Sequence, residues 1–183
     1  MVFMVICDFN LLVSTPRMLE NDACSEVWFL LNEVGDHEPV SEKIGVAGLI
    51  VAKTMLDPLT VIKELRKMLK NQPEEFRYTL RVVPIEAVVS TKLKNIKKAS
   101  LELSARIKED ETFRVTVEKR HTTLSSKEII EAVAEGIDRK VDLLKPNKIV
   151  LIEVLGGVTG VSVIEPEDIL SVVKQKNQLN LRG

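Results

Sequence analysis

Cysteine and histidine are nearly absent from this chain, with two of each among 183 residues. Cys7 and Cys24 form no CxxC pair. Together with His37 and His121 they barely furnish one zinc site, and no ligand spacing marks one, so no metal is expected. The two cysteines read as buried, reduced thiols. Aromatic residues are scarce at 4%, which leaves Leu, Ile and Val to build the core within an ordinary 45% apolar share. No run approaches the roughly 18–20 apolar residues of a membrane span. The opening "MVFMVICDFN" has neither the cationic start nor the small-residue cleavage site of an export signal. A cytoplasmic globular protein is the expectation.

The motifs of common enzymes are missing too. No GxGxxG follows a strand, and there is no P-loop, no GxSxG and no HExxH. The glycines of "LGGVTGVS" precede a strand instead of a helix, which fits a hairpin turn and not a phosphate loop. His121 has no nucleophile or orienting partner nearby in sequence. Neither catalysis nor a cofactor is expected.

What the chain does have is an uneven charge distribution. Residues 1–75 carry seven Lys/Arg against twelve Asp/Glu, whereas residues 76–120 carry eleven against six. Asymmetry of this kind points toward nucleic acid.

The apolar spacing predicts a mixed α/β chain of two small units, residues 1–84 and 85–183. In the first, "FNLLVSTP" reads as a strand, and Leu19, Ala23, Val27, Leu30, Leu31 and Val34 mark one face of a helix over 18–34. "EKIGVAGLIVAK" reads as two extended segments, Asp57-Pro58 as a capped helix start and "FRYTLRVVP" as a strand. The resulting β-α-β-β-α-β order is that of a ferredoxin-like domain. In the second, a helix over 92–107 leads to the strand "TFRVTVEK". Ser125 and Glu128 form a capping box for a helix with Ile129, Ile130, Val133, Ala134 and Ile137 inward. "NKIVLIEVLGGVTGVSVI" gives two strands around Gly156-Gly157, Glu165-Pro166 starts a short helix, and "KQKNQLNLRG" reads as a loose tail.

The richest chemistry lies in "FRVTVEKRHTTLSSKEII". A helix N-terminus carries free N–H donors and partial positive charge, which suit a phosphate. Lys119 and Arg120 end the strand and are expected to reach the helix start at Ser125, Ser126 and Lys127. His121 and Thr122 add donors, and the histidine ring can stack on an unpaired base. Arg77 and Arg81, four apart on one strand, are expected to point the same way, roughly 13 Å from each other. Lys94, Lys97 and Lys98 crowd one polar helix face. On residues alone, a charged strand end with an ordinary cap explains the same pattern.

These residues, followed by "KVDLLKPNKIVLIEV" and a final "GVSVI", resemble the THUMP domain, an RNA-binding module of tRNA-modifying proteins. The family signature is a strand ending in Lys-Arg, a Ser-led helix, then a "VDL" turn before a long apolar strand. Lys119-Arg120, Ser125-Ser126, Val141-Asp142-Leu143 and Pro146-Asn147 take those places, and a ferredoxin-like domain normally precedes the module. The resemblance implies tRNA binding through the single-stranded acceptor end. It further implies an adaptor that presents tRNA to a separate enzyme, such as a tRNA cytidine acetyltransferase. Two alternatives stay open: a part of a tRNA methyltransferase or thiouridine synthetase, and a protein-interaction module with a basic face.

Overall fold

The computed structural model describes residues 7–181; the first six residues of the export-signal reading and the last two of the predicted tail lie outside them. The chain divides into two compact units, Met1–Pro84 with Glu167–Gly183, and Ile85–Pro166. Where the sequence reading assigns everything after residue 84 to the second unit, the chain returns to the first after Pro166.

In the first unit the order is β1 (Leu11–Ser14), α1 (Glu20–Glu33), β2 (Val40–Lys43), β3 (Leu49–Lys53), α2 (Pro58–Asn71) and β4 (Arg81–Pro84). These four strands stand in the antiparallel order β4-β1-β3-β2. The apolar stripe of α1 (Ala23, Val27, Leu30, Leu31) and that of α2 (Val61, Ile62, Leu65, Leu69) pack with Leu11, Val13, Ile50, Ala52 and Val82 of the strands. Asp57 caps α2 by accepting the Thr60 amide, with Pro58 in the first helical position, where its missing N–H forfeits nothing.

Two buried carboxylates tie loops to this core. Glu26 of α1 accepts the backbone amides of Arg77, Tyr78 and Thr79 at 2.8–3.1 Å. Asp36 accepts the Thr54 hydroxyl and the amides of Glu38 and Met55. A carboxylate that turns several main-chain donors inward offsets its own desolvation. The Glu26 contact also explains a departure from expectation. Residues 77–79 bend onto α1 instead of extending the strand, so Arg77 and Arg81 do not share a regular strand face. Thr79, between them, is buried, Arg77 is exposed and Arg81 is half-buried.

The expected loose tail is helical as far as Asn180. β10 (Leu170–Ser171) pairs with β4, and α5 (Val172–Asn180) follows it. Leu170 and Val172 join the first core. Arg66 of α2 donates to the carbonyls of Glu167 and Ile169, and Gln175 donates back to the Arg66 carbonyl. The polar sequence of α5 holds one buried residue, Val172, so tertiary contacts and not periodicity make the helix. Nor are both thiols buried: Cys7 is exposed, and Cys24 is half-buried with burial pushing its thiol pKa up.

The second unit comprises β5 (Ala87–Ser90), α3 (Leu93–Ser104), β6 (Thr112–Arg120), α4 (Ser126–Ala134), β7 (Lys140–Val141), β8 (Lys148–Leu155) and β9 (Val158–Ile164). Strand order is β5-β9-β8-β6-β7. β6 and β8 run parallel in register from Phe113↔Lys148 to Arg120↔Leu155, while β8 and β9 form a hairpin. Alternation places Phe113, Val115 and Val117 of β6 with Val150, Ile152 and Val154 of β8 against α3 and α4, around Ile96, Ile129 and Val133. All residues of β8 after Lys148 are buried, as its nearly all-apolar run, broken by Glu153 alone, predicts. Ile130, expected inward, is 37% exposed: it follows Ile129 by 100° around α4, off the inward stripe. Among the described residues no helix is long and apolar enough to cross a membrane.

Replacing Glu26 with alanine leaves three inward-turned amides without an acceptor. The Glu26→Ala variant is expected to lose about 3 kcal/mol of unfolding free energy, and Lys63→Ala on exposed α2 surface within about 0.5 kcal/mol. Urea denaturation measures both, and a loss below about 1 kcal/mol at Glu26 contradicts this role.

Candidate nucleic-acid interface

The strand directions of the second unit gather three junctions at one end of its sheet. β6 ends at Arg120, opposite Leu155 at the end of β8. β5 ends at Ser90, opposite Val158 at the start of β9. The Gly156-Gly157 turn between β8 and β9 therefore sits between these two strand ends. The Gly156 amide donates to the Arg120 carbonyl, and the Thr91 amide donates to the Gly157 carbonyl. Gly156 has φ +69°, the left-handed conformation that glycine adopts without a Cβ clash. The starts of α3 and α4 leave from the same sheet end, separated by three strand spacings, or roughly 14 Å.

At the α4 start the predicted residues play different parts. Lys119 turns toward the helix side, where its ammonium donates to the Leu124 carbonyl at 3.0 Å. Arg120, one residue on, turns to the opposite sheet face and forms an ion pair with Glu153, a fully buried carboxylate. The sequence expectation that both cations reach the helix start fails for Arg120, because neighbours on a strand point to opposite faces. His121 is exposed and holds φ +53°, an uncommon conformation for a residue with a Cβ. Its Cβ lies 4.0 Å from the position a Cβ would take on Gly156, so the ring's base and the hairpin turn are neighbours.

Thr122 accepts the Leu124 amide, which shapes the turn into α4. The capping box is formed: Ser125 Oγ accepts the Glu128 amide, and Glu128 accepts the Ser125 amide. These bonds use two of the four amides that a helix start leaves open, and those of Ser126 and Lys127 remain available to a ligand. The box also places a carboxylate at the helix start. The Ser125 amide, then the Ser125 hydroxyl, hold the Glu128 carboxyl below its usual pKa, with a smaller pull from Lys119. Its stabilising contribution is therefore present at neutral pH and fades as acid carries the pH down through the lowered value. Lys127 is exposed, within 3.7 Å of Glu131.

The α3 start contributes what the sequence reading missed. Lys92 is the N-cap, without a side-chain capping bond, and Lys92 and Lys94 are both exposed. Cations at an uncapped helix start oppose the helix dipole, and an anion bound there would reverse that sign. Lys97 lies 3.7 Å from Glu135, and Lys98 is exposed. The sequence signal was the short strand "AVVS": once it is paired with β9, Lys92 follows at the glycine turn.

The "VDL" turn and the "KPN" that follows belong elsewhere. Asp142 accepts the amides of Leu144 and Lys145, Asn147 accepts the Thr112 amide and hydroxyl, and the Asp142 amide donates to the Phe113 carbonyl. This turn anchors the beginning of β6, roughly 26 Å along the strand from its end. Its role is structural. Among the described residues no group of His, Cys, Asp and Glu is placed to hold a metal ion.

Removing the Arg120 side chain takes its arginine partner from the buried Glu153 carboxylate. Arg120→Ala is expected to destabilise the chain by about 3 kcal/mol, as breaking one side of a buried pair does, while Lys119→Ala changes stability within about 1 kcal/mol. Thermal or urea unfolding separates them, and equal small effects would contradict the inward assignment of Arg120.

The profile of the THUMP domain family matches residues 90–164. Among solved structures, the PH1313 protein of Pyrococcus horikoshii superposes with a TM-score of 0.63 at 18% identity, over 89% of this chain and 55% of that one. TrmN of Thermus thermophilus gives 0.63 at 18% identity, over 94% and 49%. A 4-thiouridine synthetase solved with RNA and bound ATP gives 0.53 at 12% identity, over 90% and 42%. The chain thus spans about half the length of the structures it matches, and the likeness is one of fold. No curated protein matches it in sequence. A THUMP domain is detected at residues 90–164.

Proposed function

We propose that this protein binds tRNA, holding the single-stranded 3′ end at the sheet end where β6, the Gly156-Gly157 turn and the starts of α3 and α4 meet. The observation that carries the reading is this convergence within residues that match the THUMP domain. It supplies the exposed His121 ring for stacking, the Ser126 and Lys127 amides for a phosphate, and cations from Lys119, Lys92 and Lys94. Main-chain donors and a flat ring suit an unpaired, flexible strand better than a duplex, whose bases are hidden. Lys97, Lys98 and the Arg77 and Arg81 side chains are assigned to the tRNA backbone. Thr122 and Ser125 shape the loop and the cap.

The first unit is read as a ferredoxin-like domain. No residue of the chain is assigned a covalent step. The protein presents tRNA to a separate modifying enzyme, a cytidine acetyltransferase in the preferred form of the reading. The solved structures that share the fold favour one alternative, in which these residues form the tRNA-holding half of a methyltransferase or thiouridine synthetase.

Filter binding to intact tRNA and to tRNA lacking its terminal CCA tests the reading. Truncation is expected to weaken binding at least tenfold, about 1.4 kcal/mol. The Lys119→Ala, His121→Ala double variant is expected to bind intact tRNA at least tenfold more weakly and to lose the preference for CCA. With about five phosphates neutralised, log affinity falls against log salt with a slope near −3.5. Equal affinity for the two tRNAs, or a flat salt response, would reject the proposal.

A further inference from the structure

The first unit carries an exposed apolar surface that the RNA reading leaves unused. On α1, Trp28 is 52% and Phe29 38% exposed, and Val40 at the start of β2 is 38% exposed. Between α1 and β2 runs an open groove of about 410 Å³, lined by Cys24, Ser25, Trp28, Pro39, Val40 and Ser41. β2 is the last strand of its sheet, and its outer edge has no strand partner among the described residues. The Ser41 hydroxyl donates to the Cys24 carbonyl, which fixes this edge beside the helix. A free edge and an adjoining apolar groove are the two parts of a strand-addition site: main-chain bonds give affinity, and the groove receives alternate side chains.

Charge indicates the occupant. From Met18 to Glu42 there are seven acids and no Lys or Arg. Glu26 and Asp36 are buried and serve the fold, and Glu20 accepts the Gly48 amide. The remaining four, Asp22, Glu33, Glu38 and Glu42, have no ion-pair partner among the described residues. Arg17 and Lys43 bound this stretch at its two ends; on β2, Lys43 lies on the Ser41 side with α1, and Glu42 turns to the other face of the sheet. A polyanion is repelled here, and a second copy would bring the same acids against each other. An extended segment rich in Lys or Arg meets them with opposite charge, and a cation over the Trp28 ring gains further.

We infer that the α1/β2 face docks a basic, extended segment of a partner protein, added as a strand to the free edge of β2 with alternate side chains seated beside Trp28. This surface is independent of the tRNA site, and either assignment can fail without the other.

Trp28 is the only tryptophan of the chain, so its fluorescence reports the groove directly. The full chain is titrated with a ten-residue peptide of alternating Lys and Val, with a Glu and Val version, and with a Lys and Val version N-methylated at alternate residues. The first is expected to shift Trp28 emission saturably to shorter wavelength. The other two, and the Glu38→Lys, Glu42→Lys double variant with the first peptide, are expected to bind at least tenfold more weakly. Circular dichroism confirms the fold of that variant, and its tRNA affinity is expected to be unchanged. No shift with any peptide, or equal binding by the N-methylated peptide, overturns the inference. A shift caused by tRNA overturns it too, as does one that follows protein concentration together with a dimer mass in sedimentation, because RNA or a second copy would then occupy the face.

Discussion

The parallel pairing of β6 with β8 is the constraint on which the candidate interface depends. A parallel neighbour forces the intervening chain to cross over the sheet, and α4 makes that crossing. The helix must then begin where β6 ends, at the same sheet end as the turn that closes β8 onto β9. The pairing of β5 with β9 adds the start of α3 to the same place. No side chain is needed to gather these elements. Lys119, His121, Lys92 and the Ser126 and Lys127 amides converge because the strands leave them nowhere else to go.

The two units use charge differently. In the first, acids serve the interior: Glu26 and Asp36 accept main-chain donors from segments that would otherwise be loose. In the second, one buried acid, Glu153, captures Arg120, and the exposed cations of α3 and β6 lie at the helix starts. Raw cation counts therefore mislead, because an arginine bound to a buried carboxylate contributes to folding before it contributes to a surface.

Much of this was legible in the sequence where one local signal dominates. Asp57-Pro58, the Ser125/Glu128 box and the nearly all-apolar run of β8 each name their own structure, and a THUMP domain is detected where the strand, the Ser-led helix and the final hairpin stand. What escaped depends on partners distant in the chain. α5 has too few apolar residues to announce a helix and exists through α2. Residues 77–79 carry a strand-like local pattern, and nothing local reveals Glu26, some fifty positions earlier. The opposed directions of Lys119 and Arg120 were readable from strand alternation alone, and the family signature that groups them as a pair conceals it. Lys92 was hidden behind an unrecognised four-residue strand.

The most direct measurement is an amide ¹H–¹⁵N spectrum of the full chain titrated with a short single-stranded RNA ending in CCA. Binding at the gathered junctions predicts the largest shifts at His121, Ser126, Lys127, Gly156 and Gly157, with the Leu143–Asn147 turn at the far end of β6 unmoved. Shifts centred on that turn, or on the α1/β2 face, would contradict the account.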